Sequence, residues 1–507
     1  MVYMTLLIKN VRILGGAREF PEACDVFVNG DRISAIGNFP KKPADEVLDG
    51  QGAYLSPGFI DVNTSSDHYL TLFEYPSQED FLRQGITTTI AGMCGASLAP
   101  LMYGQLESLR KWGAIDRVNV NWHTMTEFLQ ALDKRPLGVN FGTLVGHATI
   151  RRAIVGDTIR DLTKNELQVF KHTLREALDQ GGLGLSSGLG YVHAHKTPYA
   201  ELKALVDIVR EKGGVYATHL RDSEAGVVDS VEETIKLARE TGAKTLISHF
   251  APHIGFTAQY QKAFEAIESL PPDINLRFDT YPSAFTMMPI YTFLPTWAQD
   301  GGFAAMRSHI QDEWMAAKIT KDMPKLDEEN IILAQAPIGS EFLVGRSLRA
   351  VREIYNVSDP REALLRLMIV CDMKGAVLYK NLDDQLIKKF MAGSRSFIAS
   401  NAPSFGFAKD RRLKSERTTR TFTKFLSFIE SEQPYALTDA IRKITLEPAQ
   451  FFGLQDRGEI KEGNIADLTC FRGEDVKFTV VNGAVAMQDR EYKGTLSGKA
   501  LRRSAKK

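Results

Sequence analysis

Short apolar runs recur along the middle of the chain, and several are separated by stretches with helical spacing. A continuous apolar run of this length is typical of a strand buried on both faces, as in a parallel sheet. The eight runs cover residues 57–62, 87–94, 140–147, 182–188, 215–220, 245–250, 275–282 and 396–401.

The stretches between these runs carry the start and stop signals of helices. "TKNELQVFKHTLREALDQGG" has a capping-box pair, Thr163 and Glu166, and ends in glycines. "TPYAELKALVDIVREKGG" and "VDSVEETIKLARETGAK" predict two further helices. Repeated strand–helix units predict an α/β fold with a parallel sheet. Eight units favour a closed (β/α)8 TIM-type barrel over an open sheet.

Both ends of the chain have a different pattern, with short alternating segments separated by Gly, Asn and Asp turns. "LLIKNVRIL" and "CDVFVNG" near the start resemble "DRGEIKEG" and "KFTVVNGAVAM" near the end. We therefore expect residues 1–56 and 452–500 to form one small β-sandwich domain, and residues 57–451 to form the barrel. The basic tail "GKALRRSAKK" is expected to be frayed and solvated.

The stretch from 283 to 395 is longer than one barrel unit requires. We interpret residues 283–395 as an inserted lobe over the mouth of the barrel. The alternative is a set of extra helices on the outside, with no contact with substrate.

Composition narrows the class of protein. The 507 residues contain 62 Lys plus Arg and 62 Asp plus Glu, so the formal net charge is zero. A neutral chain lacks the electrostatic footprint of a partner for nucleic acid or an anionic membrane. The four cysteines form no CxxC pair, and no apolar stretch approaches the roughly 18 residues of a membrane span. We expect a soluble cytoplasmic protein.

In a barrel of this kind the site lies at the carboxyl ends of the strands. Cys94, His219 and His249 all fall there, and one thiolate with two imidazoles suits Zn²⁺ with an open position. Each residue alone has a simpler explanation, since a single buried Cys is usually a small hydrophobe and a single His a hydrogen-bonded core residue.

A set of motifs in order along the chain resembles the D-aminoacylase (N-acyl-D-amino-acid deacylase) branch of the amidohydrolase superfamily. The resemblance runs nearly from end to end, and the motifs are "PGFIDV", "GITTTIAGMCGASLAP", "GLGLSSGLGY", "YATHLRD", "AKTLISHF", "FDTYP" and "RGEIKEGNIADL". It implies a metal-bearing (β/α)8 barrel with a β-sandwich from both termini, and hydrolysis of the amide in N-acylated D-amino acids. It also implies Cys94, His219 and His249 as the ligands of one tightly held zinc ion.

Four positions depart from the family pattern, and all of them lose charge or ligand strength. Asn63 and Ser65 stand where the family has a His-x-His pair for a second, weaker metal position. Asn401 stands in place of the Asp that acts as catalytic base, and Ala251 stands where a basic residue is often found.

These losses favour a mononuclear site with a missing or relocated base, because an amide cannot accept a proton near neutral pH. The candidate catalytic residues are Asn401, Asp67 and Asp279, with His68, His193 and His195 as further loop residues able to approach the pocket. The candidate substrate-binding residues are Asn63, Ser65, Tyr191, Tyr281 and His147.

Three functions remain open. The first is a zinc amidohydrolase with one ion, acting on a small molecule such as an N-acylated amino acid. A homo-oligomer is an option for its assembly. The second is a non-hydrolytic descendant that binds such a ligand or catalyses an elimination or cyclisation. The third is an inactive scaffold subunit.

Overall fold

The computed structural model describes residues 4–16, 22–103, 106–109, 112, 115, 118–300, 302–337, 339–406 and 413–503. The first part of the chain forms five strands: β1 (Thr5–Ile13), β2 (Cys24–Asn29), β3 (Arg32–Gly37), β4 (Glu46–Asp49) and β5 (Tyr54–Pro57).

Strands and helices then alternate through the middle of the chain. They are β6 (Phe59–Asp61), α1 (Thr71–Glu74), α2 (Glu79–Leu82), β7 (Ile86–Ala91), α3 (Met125–Asp133), β8 (Asn140–Thr143), β9 (Val145–Gly146), α4 (His147–Val155), α5 (Lys164–Asp179), β10 (Gly184–Gly188), α6 (Val192–His195), α7 (Tyr199–Lys212), β11 (Val215–His219), α8 (Val227–Thr241), β12 (Lys244–Ile247), α9 (Thr257–Glu268) and β13 (Leu276–Thr280). The predicted capping box of α5 is confirmed, because the Thr163 hydroxyl accepts from the Glu166 N–H and the Glu166 side chain accepts from the Thr163 N–H.

An additional α/β segment follows, and the chain then returns to the main body. Its elements are β14 (Phe285–Pro289), α10 (Thr296–Gln299), α11 (Gly302–Gln311), α12 (Glu313–Asp322), β15 (Ile331–Gln335), α13 (Leu348–Ile354), α14 (Pro360–Val370), β16 (Ala376–Lys380) and α15 (Asp384–Ala392). The remaining elements are β17 (Ser396–Ile398), α16 (Glu416–Glu432), α17 (Leu437–Ile444), α18 (Leu446–Phe452), β18 (Leu468–Arg472), β19 (Asp475–Val481), β20 (Ala484–Gln488) and β21 (Glu491–Tyr492).

Strands from both termini join in one nine-stranded sheet, in the order β21-β20-β19-β18-β5-β1-β2-β3, with β4 paired to β1. Strand β1 connects the two parts, since its first half pairs with β2 and β4 and its last two residues pair with β5. Side chains from both chain ends share one apolar core, among them Leu6, Val26, Leu468 and Val480. Residues 456–463, expected as a strand, contain turns and one isolated bridge instead.

The strands of the middle region are parallel and lie in two arcs. One arc has the order β6-β7-β8 and the other β9-β10-β11-β12-β13-β17. Only Leu144 separates β8 from β9, so one irregular strand belongs to both arcs. The segments after the two outermost strands are also joined: the Asn401 N–H donates to the Asn63 carbonyl at 2.8 Å, and the Ser65 N–H donates to the Ala402 carbonyl at 3.1 Å.

The segment between β13 and β17 has its own antiparallel sheet, β14-β16-β15, and its own apolar core, which includes Ile290, Leu333, Leu364 and Val377. The described part of the C-terminal tail is not frayed, which corrects the prediction. The Phe141 N–H donates to the Lys499 carbonyl at 2.9 Å, and the Leu501 N–H donates to the Phe141 carbonyl at 2.7 Å. Among the described residues, no helix combines the length and the apolar character required to cross a membrane.

Candidate metal centre

Three side chains that are far apart in sequence meet at the carboxyl ends of the parallel strands. The ligand atoms of Cys94, His219 and His249 all lie within 4.8 Å of one another. Cys94 Sγ is 3.4 Å from His249 Nε2 and 3.8 Å from His219 Nδ1. The imidazole rings are 4.5 Å apart at an interplanar angle of 71°, so their nitrogens approach the thiol from different directions.

The backbone that presents two of these ligands has an unusual conformation. Cys94 has φ 53° and His249 has φ 40°, in the left-handed region that side chains other than glycine seldom adopt. Residues held in such conformations cluster at functional sites, where the surrounding structure maintains them. Gly92, at φ 74°, allows the turn after β7, because a Cβ there would lie 2.3 Å from the Leu144 carbonyl oxygen.

The electrostatics of the cluster keep a lone pair available on an imidazole. Burial lowers the pKa of His249 to about 4, so this ring is neutral at pH 7. The His249 backbone N–H donates to Asp279 Oδ1 at 2.9 Å, which fixes the position of the residue. Two imidazole nitrogens and a thiol within this distance fit Zn²⁺, with a coordination position left open for a small molecule.

Asn63 and Asp279, both predicted site residues, bind each other. Asn63 Nδ2 lies 3.2 Å from each carboxylate oxygen of Asp279. Burial raises the pKa of Asp279 to about 7, and Asp61 adds to the increase. Asp61 is also buried, which raises the pKa of that carboxyl to about 7. Its Oδ1 accepts from the N–H groups of Ser400 and Asn63, whereas Oδ2 has no hydrogen-bond partner among the described residues.

Asn401 and Ser65 lie beside this group. Asn401 has φ 43°, and its side chain lies beside Tyr281. Burial raises the pKa of Tyr281. Ser65 is 7 % exposed and is held by the backbone hydrogen bond to Ala402. The structure therefore brings Asn63, Ser65, Asn401 and Tyr281 to one end of the strands, as the sequence predicted.

Aromatic side chains form one wall next to the cluster. The Tyr191 ring centroid lies 4.8 Å from that of His219, and Trp112 meets Tyr191 edge-on at 5.8 Å. Burial, and then the charges of Cys94 and Tyr291, raise the pKa of Tyr191. Tyr291 belongs to the segment between β13 and β17, so this segment contributes to the electrostatic surroundings of Tyr191.

Asp67 and His68, in the loop after β6, are buried at 0 % and 2 % exposure. Asp67 Oδ2 accepts from the Gly92 N–H at 2.8 Å, and burial raises the pKa of this carboxyl. His68 stacks on Trp112 at 4.2 Å, and its Nε2 lies 3.2 Å from the Ala96 carbonyl. Asp67 thus holds the turn that precedes Cys94.

His147 does not join the cluster. It is the first residue of α4, and its Nε2 lies 2.8 Å from Glu201 Oε1, which also contacts Arg151 Nε at 3.2 Å. The ring packs against Phe170 at 5.3 Å. This buried network connects α4 to α7, and it corrects the prediction that the His147 side chain faces substrate.

His193 and His195 lie on the single turn of α6, which corrects the expectation of a flexible loop. His193 stacks on Tyr191 at 6.1 Å, and the His195 side chain is exposed. Neither His193 nor His195 belongs to a group of possible metal ligands among the described residues.

One charged residue near the centre was not identified from the sequence. Arg417, in the first turn of α16, is 4 % exposed, and its guanidinium carbon lies 4.6 Å from the centroid of the Tyr281 ring. A signal was present, since Arg417 is spaced by four residues from Thr421 and by eight from Phe425, on the face that becomes buried.

Comparison with known proteins agrees with this geometry. The Amidohydrolase family model matches residues 387–487. D-aminoacylase of Alcaligenes xylosoxydans xylosoxydans is 27 % identical over 526 residues, covering 99 % of this chain and 98 % of that protein. A D-aminoacylase structure, described as having a binuclear metal centre with one-metal activation and second-metal attenuation, has a TM-score of 0.78 at 25 % identity, covering 99 % of this chain and all of the other.

A third protein has the same fold. N-acyl-D-glutamate deacylase of Bordetella bronchiseptica, solved with zinc and a phosphonate inhibitor that mimics the tetrahedral intermediate, has a TM-score of 0.78 at 23 % identity, covering 98 % of this chain and 99 % of the other. Sequence similarity over almost the whole length, together with this structural similarity, identifies the chain as a homologue of D-aminoacylase within the amidohydrolase superfamily.

Proposed function

We propose that this protein is a metal-dependent amidohydrolase of the N-acyl-D-amino-acid deacylase type, with a single zinc ion held by Cys94, His219 and His249. The observation that carries the proposal is the convergence of these three ligand atoms within 4.8 Å. When bound, zinc polarises a carbonyl and activates water. The deacylase relatives act on amide C–N bonds, which contain such a carbonyl.

The residues next to the cluster support one ion rather than two. Asn63 and Ser65 are neutral, and the Asn63 amide nitrogen is committed to Asp279. Divalent cations prefer ionised or imidazole ligands, which neither residue offers.

Asp279 is the carboxylate that we propose as the proton acceptor, in place of Asn401. It contacts the backbone of His249 and is held by Asn63, whereas Asp67 is bonded to Gly92 at the turn before Cys94. A general acid–base residue contributes typically about 10²–10⁴ in rate. Tyr191, Tyr281, Asn63 and Ser65 would line the substrate pocket.

We also propose that the two arcs of parallel strands form one closed (β/α)8 barrel covering residues 57–451. The hydrogen bonds between the segments after β6 and β17 support closure. So does a shared core that contains Ile60, Leu183, Leu246 and Phe397 from well-separated strands. Residues 1–56 and 452–500 would be the β-sandwich domain, and 283–395 the lobe that contributes Tyr291 to the site.

A non-hydrolytic role is the second candidate, and Asn401 favours it. The Asn401 amide lies beside Tyr281 and cannot take up a proton. All four cysteines lie in the described part of the chain without a disulfide, which supports a reducing compartment such as the cytoplasm.

The test incubates zinc-loaded protein with a panel of N-acetyl-D-amino acids and their L-enantiomers and measures the free amino acid released. The number of zinc ions per chain is measured on the same protein. We expect turnover of a D-substrate and about one zinc per chain. Binding of a D-substrate without turnover would support the second candidate, and protein without bound zinc would contradict both catalytic proposals.

A further inference from the structure

Ser186, on β10, holds the turn that carries Cys94 from both sides. Its hydroxyl donates to the Gly92 carbonyl at 2.5 Å, and the Gly95 N–H donates to the same hydroxyl oxygen at 3.0 Å. A carbonyl can only accept and an N–H can only donate, so the direction of both hydrogen bonds is fixed. One hydroxyl group thereby bridges the backbone before and after Cys94.

The turn needs such a support because three of its residues have positive φ. Gly92 has φ 74°, Cys94 has φ 53° and Gly95 has φ 76°. Glycine adopts these values freely, whereas a residue with a Cβ is strained there. A return of Cys94 to a favoured conformation would redirect its Cα–Cβ bond, and with it the thiol.

Other hydrogen bonds complete the support of the two glycines. Asp67 Oδ2 accepts from the Gly92 N–H at 2.8 Å, and the Gly95 carbonyl accepts from the Ala148 N–H at 2.8 Å. These bonds hold the Gly92 N–H and the Gly95 carbonyl, whereas Ser186 holds the Gly92 carbonyl and the Gly95 N–H. Each backbone polar group of both glycines therefore has a partner, and Ser186 provides two of the four.

Ser187, the next residue of β10, is equally buried and faces the other way. Both serines are 0 % exposed. Successive side chains of a strand point to opposite faces, and the Ser187 hydroxyl lies 2.7 Å from the Tyr216 hydroxyl and 3.0 Å from Thr218 Oγ1. The two serines match in residue type, burial and number of hydrogen bonds, and Ser186 is the one whose side chain contacts the turn of Cys94.

We propose that Ser186 is a positioning residue of the metal centre, whose hydroxyl keeps Cys94 in the left-handed conformation that places Sγ beside the two imidazoles. This inference rests on the proposed function, because the aligned thiol serves a tightly bound zinc ion. Without the hydroxyl, the two backbone groups that it bridges are buried without a partner, and the turn can relax. Loss of a residue that supports a metal ligand typically lowers metal affinity about 10–100-fold.

The test compares Ser186→Ala with the matched control Ser187→Ala. The zinc dissociation constant, measured by competition with a chromophoric chelator, should rise about 10–100-fold in Ser186→Ala and less than about 3-fold in Ser187→Ala. With Co²⁺ in place of zinc, the thiolate-to-cobalt charge-transfer absorption at saturation should weaken in Ser186→Ala and keep its wild-type intensity in Ser187→Ala. The melting temperature should fall in both variants, because each loses buried hydrogen bonds.

Three results on zinc affinity decide the outcome. An unchanged dissociation constant in Ser186→Ala, or an equal rise in both variants, would overturn the proposal. If Ser186→Ala does not fold, Ser186→Cys replaces it, since a thiol of similar shape is a weaker donor. Its dissociation constant should rise at least about 3-fold, and an unchanged value would likewise overturn the proposal.

Alkylation of the metal-free chain separates this inference from the proposed function. Iodoacetamide should label Cys94, identified by mass spectrometry, at least about 5-fold faster in Ser186→Ala than in wild type or Ser187→Ala, because a loosened turn opens more often. Wild type that binds no zinc would contradict the proposed function, and faster labelling confined to Ser186→Ala would still assign the conformation of Cys94 to Ser186. Equal labelling in all three proteins would overturn the role of Ser186.

Discussion

Asn63 holds the carboxylate of Asp279, with its side-chain nitrogen 3.2 Å from both carboxylate oxygens. The polar residue at the end of the first parallel strand therefore positions a neighbouring acid. Asp279 in turn accepts from the backbone N–H of His249, so a chain of hydrogen bonds connects Asn63 to a proposed metal ligand. An amide is suited to this role because it donates to a carboxylate without competing for the proton.

Removing one ligand should remove the metal. We expect Cys94→Ala and His219→Ala to reduce zinc from about one per chain to less than about 0.1, because two remaining protein ligands leave the ion largely hydrated. Elemental analysis of the purified protein measures this. His172→Ala is the matched control, since its side chain is 74 % exposed on α5. Full zinc content in the Cys94 variant would contradict the assignment.

A carboxylate at position 401 tests whether Asp279 is the base. Asn401→Asp places a proton acceptor beside Tyr281 in a left-handed backbone conformation that Asp tolerates. We expect kcat to change by less than about 3-fold, because Asp279 already serves as the base, whereas a rise of about 10²-fold would show that the native chain lacks an efficient base. Asn356→Asp makes the same substitution at a second left-handed residue, φ 49°, on the exposed surface, and should have no effect.

Unchanged or lower activity of Asn401→Asp would mean that a base is already in place. In that case Asp279→Asn should lower kcat by about 10²–10⁴-fold with zinc retained. Asp67→Asn distinguishes the role of Asp67 from that of Asp279. Asp67 accepts from the Gly92 N–H before Cys94, so Asp67→Asn should reduce zinc affinity rather than kcat at full zinc occupancy. Steady-state kinetics together with zinc titration measure both effects.

The free energy of unfolding should decrease as pH rises, because the pKa of Asp61 is higher in the folded protein than in the unfolded chain. The pKa of Asp61 is raised by burial to about 7 from 3.8, so the folded protein retains a proton that the unfolded chain loses. The contribution of Asp61 to the free energy of unfolding is full below pH 4 and declines until about pH 7. We expect the free energy of unfolding of Asp61→Asn to exceed that of wild type by about 2 kcal/mol at pH 5 and by about 4 kcal/mol at pH 8.

Urea denaturation at pH 5, 6.5 and 8 measures this difference. Asp273→Asn, an exposed residue in the turn after α9, is the control and should parallel wild type at each pH. A difference between Asp61→Asn and wild type that does not vary with pH would show that Asp61 is ionised throughout.

The buried network of His147, Glu201 and Arg151 should contribute to the free energy of unfolding and not to zinc binding. Burial opposes ionisation of Glu201, but the hydrogen bond from His147 and the charge of Arg151 keep the pKa of Glu201 below its usual value. Glu201→Gln leaves Arg151 buried without its counter-charge, which should cost about 3–5 kcal/mol of unfolding free energy. Zinc content should not change.

Glu211→Gln, on the same helix but 59 % exposed, should cost less than about 1 kcal/mol. Chemical denaturation and zinc analysis test both variants. Loss of substrate affinity in Glu201→Gln at unchanged stability would instead restore His147 to the substrate pocket.

The amino-acid sequence by itself determined most of the elements and the three side chains of the candidate metal centre. Apolar runs and capping signals such as Thr163 with Glu166 act over a few residues, so they can be recognised without knowing what packs against them. The positions of Cys94, His219 and His249 just after buried strands identified the cluster, because the ends of parallel strands meet at one edge.

Only the tertiary structure decided the partners of the other polar residues. Asn63 and Asp279 are 216 positions apart, and which side chains meet across the strand ends depends on register and on local turns rather than on spacing. His147 satisfied the same strand-end criterion as His219, yet its side chain turns to Glu201 on α7. Arg417 is one charged residue among several in "SERTTRTF", and its burial arises only when α16 packs against Tyr281.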